Sequence, residues 1–201
     1  MKKILAIVFL VVVLFGIWKI FGNRTDGNSV TDKLEPIRTL AHSGVFNQSL
    51  SNVVNSYLDL TSSFVNDDSI NVKVRVTKFI GCLDSLKLEE LQKDSNSNYT
   101  TVKAQASDIK TNAQAILQET QLTEMRKDYK MVSENLFPFL KTMGYKGQKL
   151  YFDNCPMAFG EDKDGSWISN SKEIVNPYMG KHHPEYKSAM IHCGEINDTI
   201  K

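Results

Sequence analysis

The sequence predicts a mainly α-helical fold: an antiparallel four-helix bundle followed by a small, loop-rich C-terminal region containing a short β-hairpin. Three observations predict it. Four apolar seams at helical spacing lie between Phe46 and Met143, polar breaks separate them, and the periodicity stops after Gly144. Steps of three and four residues line apolar side chains along one helix face, and four such faces joined by short connections bury one another.

The chain opens with Met1-Lys2-Lys3 and an apolar run from Ile4 to Ile20. A basic flank before such a run is a membrane-targeting pattern. Its exit, Ile17-Trp18-Lys19-Ile20-Phe21-Gly22, lacks the small residues of a cleavage site, while Trp18 and Lys19 suit an interfacial anchor. Residues 1–22 are therefore expected to be a single-pass inner-membrane anchor, with cleavage and release to the periplasm as the alternative. Residues 23–43, polar and including Gly27, read as a flexible tether. The bundle is expected over 44–144 and the Cys/Met/His-rich region over 145–201. A net charge of +1, from 24 basic against 23 acidic residues, offers no electrostatic footprint for nucleic acid.

The first seam is Phe46, Leu50, Val53, Tyr57, Leu60 and Phe64, and the second is Val72, Val76, Phe79, Leu83 and Leu86. The third is Tyr99, Val102, Ala106, Ile109, Ala113 and Ile116, and the fourth runs Leu122, Met125, Tyr129, Val132, Leu136, Phe139 and Met143. Breaks fall at Asn66–Ser69, Asp94–Asn98 and Glu119–Gln121, and Gly144 supplies a left-handed helix end. Ile70, Val72, Val74 and Val76 alternate as in a strand, but the seam continues through Phe79 and Leu83, which favours helix. Pro138 lies inside the fourth helix, where it removes a hydrogen bond and is expected to kink the axis.

Beyond Gly144, Lys149–Asp153 and Ser188–His192 are short apolar runs able to form strands, with Gly160, Gly165, Pro177, Gly180 and Pro184 as turn residues between them. Pairing of the two runs would bring Cys155 and Cys193 to neighbouring ends of one small sheet. Cys82 reads as a small buried hydrophobe in the second helix. His42 carries no assignment.

Soft donors crowd this last third: Cys155, Met157, Met179, His182, His183, Met190, His192 and Cys193. Thiolate, thioether and imidazole suit Cu(I) or Ag(I) better than oxygen-seeking ions. In an extended Cys155-Pro156-Met157 both sulfurs point the same way, and Met190 and Cys193 meet across a tight turn at Gly194. The candidate metal site is Cys155, Met157, Met190 and Cys193, with His192 as a further ligand. The alternative is a Cys155–Cys193 disulfide that staples loops to the bundle, as expected outside the cytoplasm. Trp167 and Tyr178 are expected to cover the site, and Asn176-Pro177-Tyr178 to form a turn.

The ordered wording Cys155-Pro156-Met157-Ala158, Trp167-Ile168-Ser169, Asn176-Pro177-Tyr178-Met179-Gly180 and Met190-Ile191-His192-Cys193-Gly194 resembles an uncharacterised bacterial domain family common in Bacteroidetes. The resemblance reaches back through Arg126, Tyr129, Ser133 and Leu136. That family occurs alone and fused to adaptor subunits of copper- or silver-exporting efflux pumps. The resemblance implies a helical bundle with a soft-metal site outside the membrane, Cys155, Met157, Met190 and Cys193 as ligands, and efflux-pump components as partners. Three function classes follow: a copper- or silver-binding accessory, a disulfide-stabilised envelope interaction module, and an enzyme with a His192–Cys193 dyad. Adjacent residues in an extended chain face opposite ways, so the dyad is geometrically poor and the reading is non-enzymatic.

Overall fold

The computed structural model describes residues 42–93 and 99–201. The anchor, the tether up to Ala41 and the break at Asp94–Asn98 lie outside the described residues. No described helix is long and apolar enough to cross a membrane.

Among the described residues four long helices form: α1 (Gly44–Val65), α2 (Ser69–Asp84), α3 (Tyr99–Gln118) and α4 (Leu122–Thr142). Local chemistry sets their ends. The Ser43 hydroxyl accepts from the Phe46 N–H at 3.1 Å and the Asp68 carboxylate from the Asn71 N–H at 2.9 Å, each satisfying a donor that a helix start leaves orphaned. At the far end of α4, Gly144 takes a φ of 57°. The Gly144 N–H donates to Lys141 O at 3.0 Å and the Tyr145 N–H to Leu140 O at 3.1 Å, the paired bonds of a glycine-terminated helix. Pro138 sits within α4, which runs on past it to Thr142.

The seams meet as predicted. Phe46, Val53, Tyr57, Leu60, Phe64, Val72, Val76, Phe79, Ile109, Ile116, Tyr129, Val132, Leu136 and Phe139 have no solvent exposure. Successive helices pack on one another, and α1 closes on α4 where the Tyr57 and Tyr129 rings stack at 5.5 Å. The alternating stretch of α2 resolves into two one-turn pairs on opposite sides. Val72 and Val76 point inward, while Ile70 and Val74 are 79% and 59% exposed. The second seam departs in two ways. Leu86 lies beyond the helix, where it packs with Leu88 and Leu91 of a 3₁₀ turn, Leu88–Lys93, that closes the end of the bundle. Cys82, on the flank of the buried stripe, is half-buried and not a core residue.

The C-terminal region builds a three-stranded antiparallel sheet in the order β2-β1-β3, with β1 Leu150–Cys155, β2 Gly165–Ser169 and β3 Glu195–Ile200. The hairpin forms between β1 and β2, placing Asp153 opposite Trp167 and Cys155 opposite Gly165. Gly165 is thus a strand residue and not a turn. Ser188–His192 does not pair with β1. Its backbone is drawn into turns, with the Cys193 N–H donating to Met190 O and the Asn176 N–H to Ile191 O. The third strand is instead Glu195–Ile200, a mostly exposed edge.

This lobe sits on the bundle through a stack of Phe152 on Phe137 at 4.4 Å and through buried polar groups. The Tyr57 hydroxyl meets Tyr129 at 2.8 Å and Ser133 at 2.6 Å, and accepts from the Ile168 N–H of β2 at 3.2 Å. Arg126 donates to Pro177 O at 2.7 Å, Phe64 O at 3.0 Å and Asp67 at 2.6 Å. Leu136, wholly buried, and Lys127, exposed beside Glu124, separate the core from the surface. Leu136→Ala should cost about 2–5 kcal/mol, and Lys127→Ala no more than about 0.5 kcal/mol. Urea denaturation checks both, and equal small effects would contradict the seam.

Candidate functional site: a buried thiol pair beside an unpartnered carboxylate

Strand β1 ends on Cys155, which has no solvent exposure. Cys193 arrives two residues before β3, and since Asn154 pairs with Glu195, the two cysteines come to adjacent ends of neighbouring strands. Their sulfurs lie 2.9 Å apart, both as free thiols. The expected convergence is observed, reached through β3 and not through the 188–192 run.

Two residues place Cys193. Gly194 has a φ of 143°, and a Cβ there would stand 2.9 Å from both Asn154 O and the Trp167 ring, so only glycine lets this segment close on the sheet. Asn176 is fully buried and spends its amide on both sides of the loop. Its Nδ2 donates to Cys193 O at 2.8 Å, while its Oδ1 accepts from the Tyr178 and Met179 N–H groups at 2.8 and 3.1 Å. Asn176 opens the expected turn over 177–179 and is also the bracket that holds the second thiol. Trp167 and Tyr178 are buried and meet edge to face at 6.0 Å.

The remaining soft donors divide. Met157 and Met190 are partly buried against the core cluster that contains Cys155, and Met179 is buried. The exposed His192 turns its Nδ1 to Ile174 O at 2.7 Å. His182 lies by Asp67 at 3.5 Å, and His183 stacks on Tyr186. Among the described residues no three of His, Cys, Asp and Glu gather where they could hold a metal ion. His42, unassigned from sequence, ties the start of α1 to the end of α4 through Met143 O at 3.0 Å.

The thiol pair has an unexpected neighbour. Asp153 is two residues before Cys155 on β1 and so on the same strand face, and it is wholly buried. Among the described residues neither of its carboxylate oxygens has a hydrogen-bond partner, and neither has the indole N–H of Trp167 directly across the ladder. Burial pushes the Asp153 carboxyl up to about 6, offset in part by the Ser169 hydroxyl, which itself donates to Ser171 O at 2.9 Å. Burial and then the contact with Cys155 push the Cys193 thiol up to about 12. Sequence patterning could not have found the acid, because an aspartate in a strand reads as a solvent-facing residue.

Because the fold favours protonated Asp153, the stabilisation it gains is complete below the unfolded value near 4 and is lost as pH rises through about 6. Asp153→Asn, neutral and of the same shape, should therefore stabilise the protein near neutral pH by up to about 3 kcal/mol. The gain should vanish below about pH 4. Urea denaturation at both pH values is the check; an unchanged or lower midpoint at neutral pH would contradict the cost assigned to this carboxylate.

Comparison with known proteins reaches the bundle alone. A family model described as a protein of unknown function (DUF3347) matches residues 53–148, from the middle of α1 to just before β1. No curated protein and no solved structure matches the chain. The match stops short of Cys155, Met157, Met190, His192 and Cys193. Over residues 53–148, then, the chain is similar to an uncharacterised domain family, and that span is the bundle on which the thiol-bearing lobe is seated.

Proposed function

We propose that the chain is an accessory interaction module working outside the cytoplasm, held to the inner membrane by residues 1–22, whose C-terminal lobe is stapled by a Cys155–Cys193 disulfide. The observation that carries this reading is the 2.9 Å separation of the two sulfurs, inside ordinary contact distance and with Cys155 wholly buried. Closing them would tie residues 38 apart in sequence, a constraint on the unfolded chain worth about 4 kcal/mol if no strain opposes it. The exposed pair Ile70 and Val74, one turn apart on the outer face of α2, is apolar surface suited to a partner protein. An envelope efflux component is the partner class that the sequence resemblance implies.

A soft cation as cargo asks for a different geometry. With metal–sulfur bonds of about 2.3 Å, a two-coordinate ion holds its sulfurs about 4.6 Å apart and a tetrahedral one about 3.8 Å apart. A soft cation would need the sulfurs to open from 2.9 Å, and His192 has its Nδ1 on the Ile174 carbonyl.

The test is a thiol count on denatured protein taken from an oxidising compartment, paired with Cu(I) competition against a chromogenic chelator on anaerobically reduced protein. Of the three cysteines, only Cys82 should then react, and reduction should lower stability by about 2–4 kcal/mol. Three reactive thiols, together with tight Cu(I) uptake lost in Cys155→Ser, would overturn the staple in favour of a copper- or silver-handling role.

A further inference from the structure

A purely structural cross-link has no use for a buried carboxylate without a partner beside it, since a neutral residue there would leave the fold more stable at neutral pH. Nor does it need one sulfur at the rim. Cys155 is sealed in at the end of β1, whereas Cys193 is partly exposed and lies in irregular backbone followed by Gly194. Accessible disulfides are the labile ones, and an orphaned buried acid is the kind of exception that marks a working site.

We propose that Cys155 and Cys193 are an exchangeable dithiol–disulfide couple, in which Cys193 meets an external disulfide and the buried Cys155 resolves the mixed disulfide that results. The inference rests on the reading of this pair as one that closes. The partner is defined by chemistry as an accessible disulfide, of a small thiol compound or of an extended protein segment.

The reaction balances as an ordinary exchange. Cys193, the accessible thiol, attacks one sulfur of R–S–S–R once solvent base has taken its proton, a step that its raised pKa makes slow at neutral pH and faster as pH rises. It forms the mixed disulfide with R and expels one RS⁻, which solvent protonates. Cys155 then attacks the Cys193 sulfur, and the second RS⁻ leaves and is protonated in turn. The chain loses two electrons and two protons, and the external disulfide becomes two thiols. Asp153, on the same face of β1 two residues before Cys155, is the group assigned to take up the Cys155 proton away from water. It acts as a positioning and proton-holding residue, not as a nucleophile.

The experiment uses the full chain carrying Cys82→Ser, reduced anaerobically, mixed with oxidised glutathione and quenched with acid at intervals for mass analysis. The parent should show a transient glutathione adduct that gives way to the intramolecular disulfide. Cys155→Ser should stop at a stable adduct on Cys193, and Cys193→Ser should form an adduct on Cys155 at least about tenfold more slowly, because Cys155 is sealed from solvent. Asp153→Asn, which the account expects to be a stable fold, should form the adduct at the parent rate and close it about tenfold or more slowly. Equal adduct rates in the two serine variants, or an adduct in the parent that never closes, would overturn the exchange couple. Diamide treatment separates the two levels. If diamide closes the parent disulfide while glutathione does not, the staple stands and the exchange fails; if neither closes it, the staple itself is wrong.

Discussion

The architecture depends on a set of buried polar groups between the bundle and the C-terminal lobe. Apolar seams can assemble four helices without saying where a short, turn-rich tail should lie. Hydroxyls and a guanidinium do say so, because a buried donor or acceptor costs free energy until it meets its partner. Tyr57, Thr61, Tyr129 and Ser133 satisfy one another inside the bundle, and Tyr57 has acceptor capacity left for the Ile168 N–H of β2. Arg126 has one face of its fork on Asp67 and Phe64 O, and its Nε on Pro177 O. Gly180 must lack a side chain, since a Cβ there would run into the Asp67 carboxylate. Burial pulls the guanidinium down, and Asp67 opposes that pull by hydrogen bond and charge. The lobe is therefore seated by directional bonds as well as by the Phe137–Phe152 stack.

Seating the lobe also fixes the chemistry. The bond from Ile168 holds β2, β2 holds β1, and β1 carries both Asp153 and Cys155. Pro177, gripped by Arg126, adjoins Asn176, which holds the Cys193 carbonyl. The two arms of the junction thus reach one thiol each. Against this well-satisfied frame, the unpartnered Asp153 and Trp167 N–H stand out as the places where the lobe gives up stability.

What the sequence made legible follows the strength of the periodic signal. Long seams carried the helices, with Ser43 and Asp68 capping the first two starts and Gly144 following the last end, and even the strand-like Ile70–Val76 stretch obeyed the seam once its residues were counted in fours. The sheet was less legible because its third strand shows almost no apolar face: Glu195, Ile196, Asn197 and Asp198 are exposed, and only Ile200 at its end reaches the core, with Asp198 tied to Lys141. The apolar Ser188–His192 run attracted the strand reading that belonged to it. Arg126 left a trace as a charge bordering the Met125–Tyr129 seam, but its three acceptors are backbone and side-chain groups from distant segments. The convergence of Cys155 and Cys193 was legible, whereas the cost borne by Asp153 was not, because burial of a single aspartate leaves no mark in a sequence pattern.

If the polar junction is what brings the thiols together, the disulfide and the docking of the lobe are thermodynamically linked. The most direct measurement is the equilibrium between Cys155–Cys193 and glutathione in redox buffers, for the parent and for Arg126→Met, which removes the guanidinium while keeping an apolar stem. Docking that orders the pair should give the parent a high effective thiol concentration, and Arg126→Met should lower it by about tenfold for each 1.4 kcal/mol of docking lost. An unchanged equilibrium in a variant whose lobe has come loose by amide hydrogen exchange would contradict the account, because the thiols would then be paired by something other than the junction.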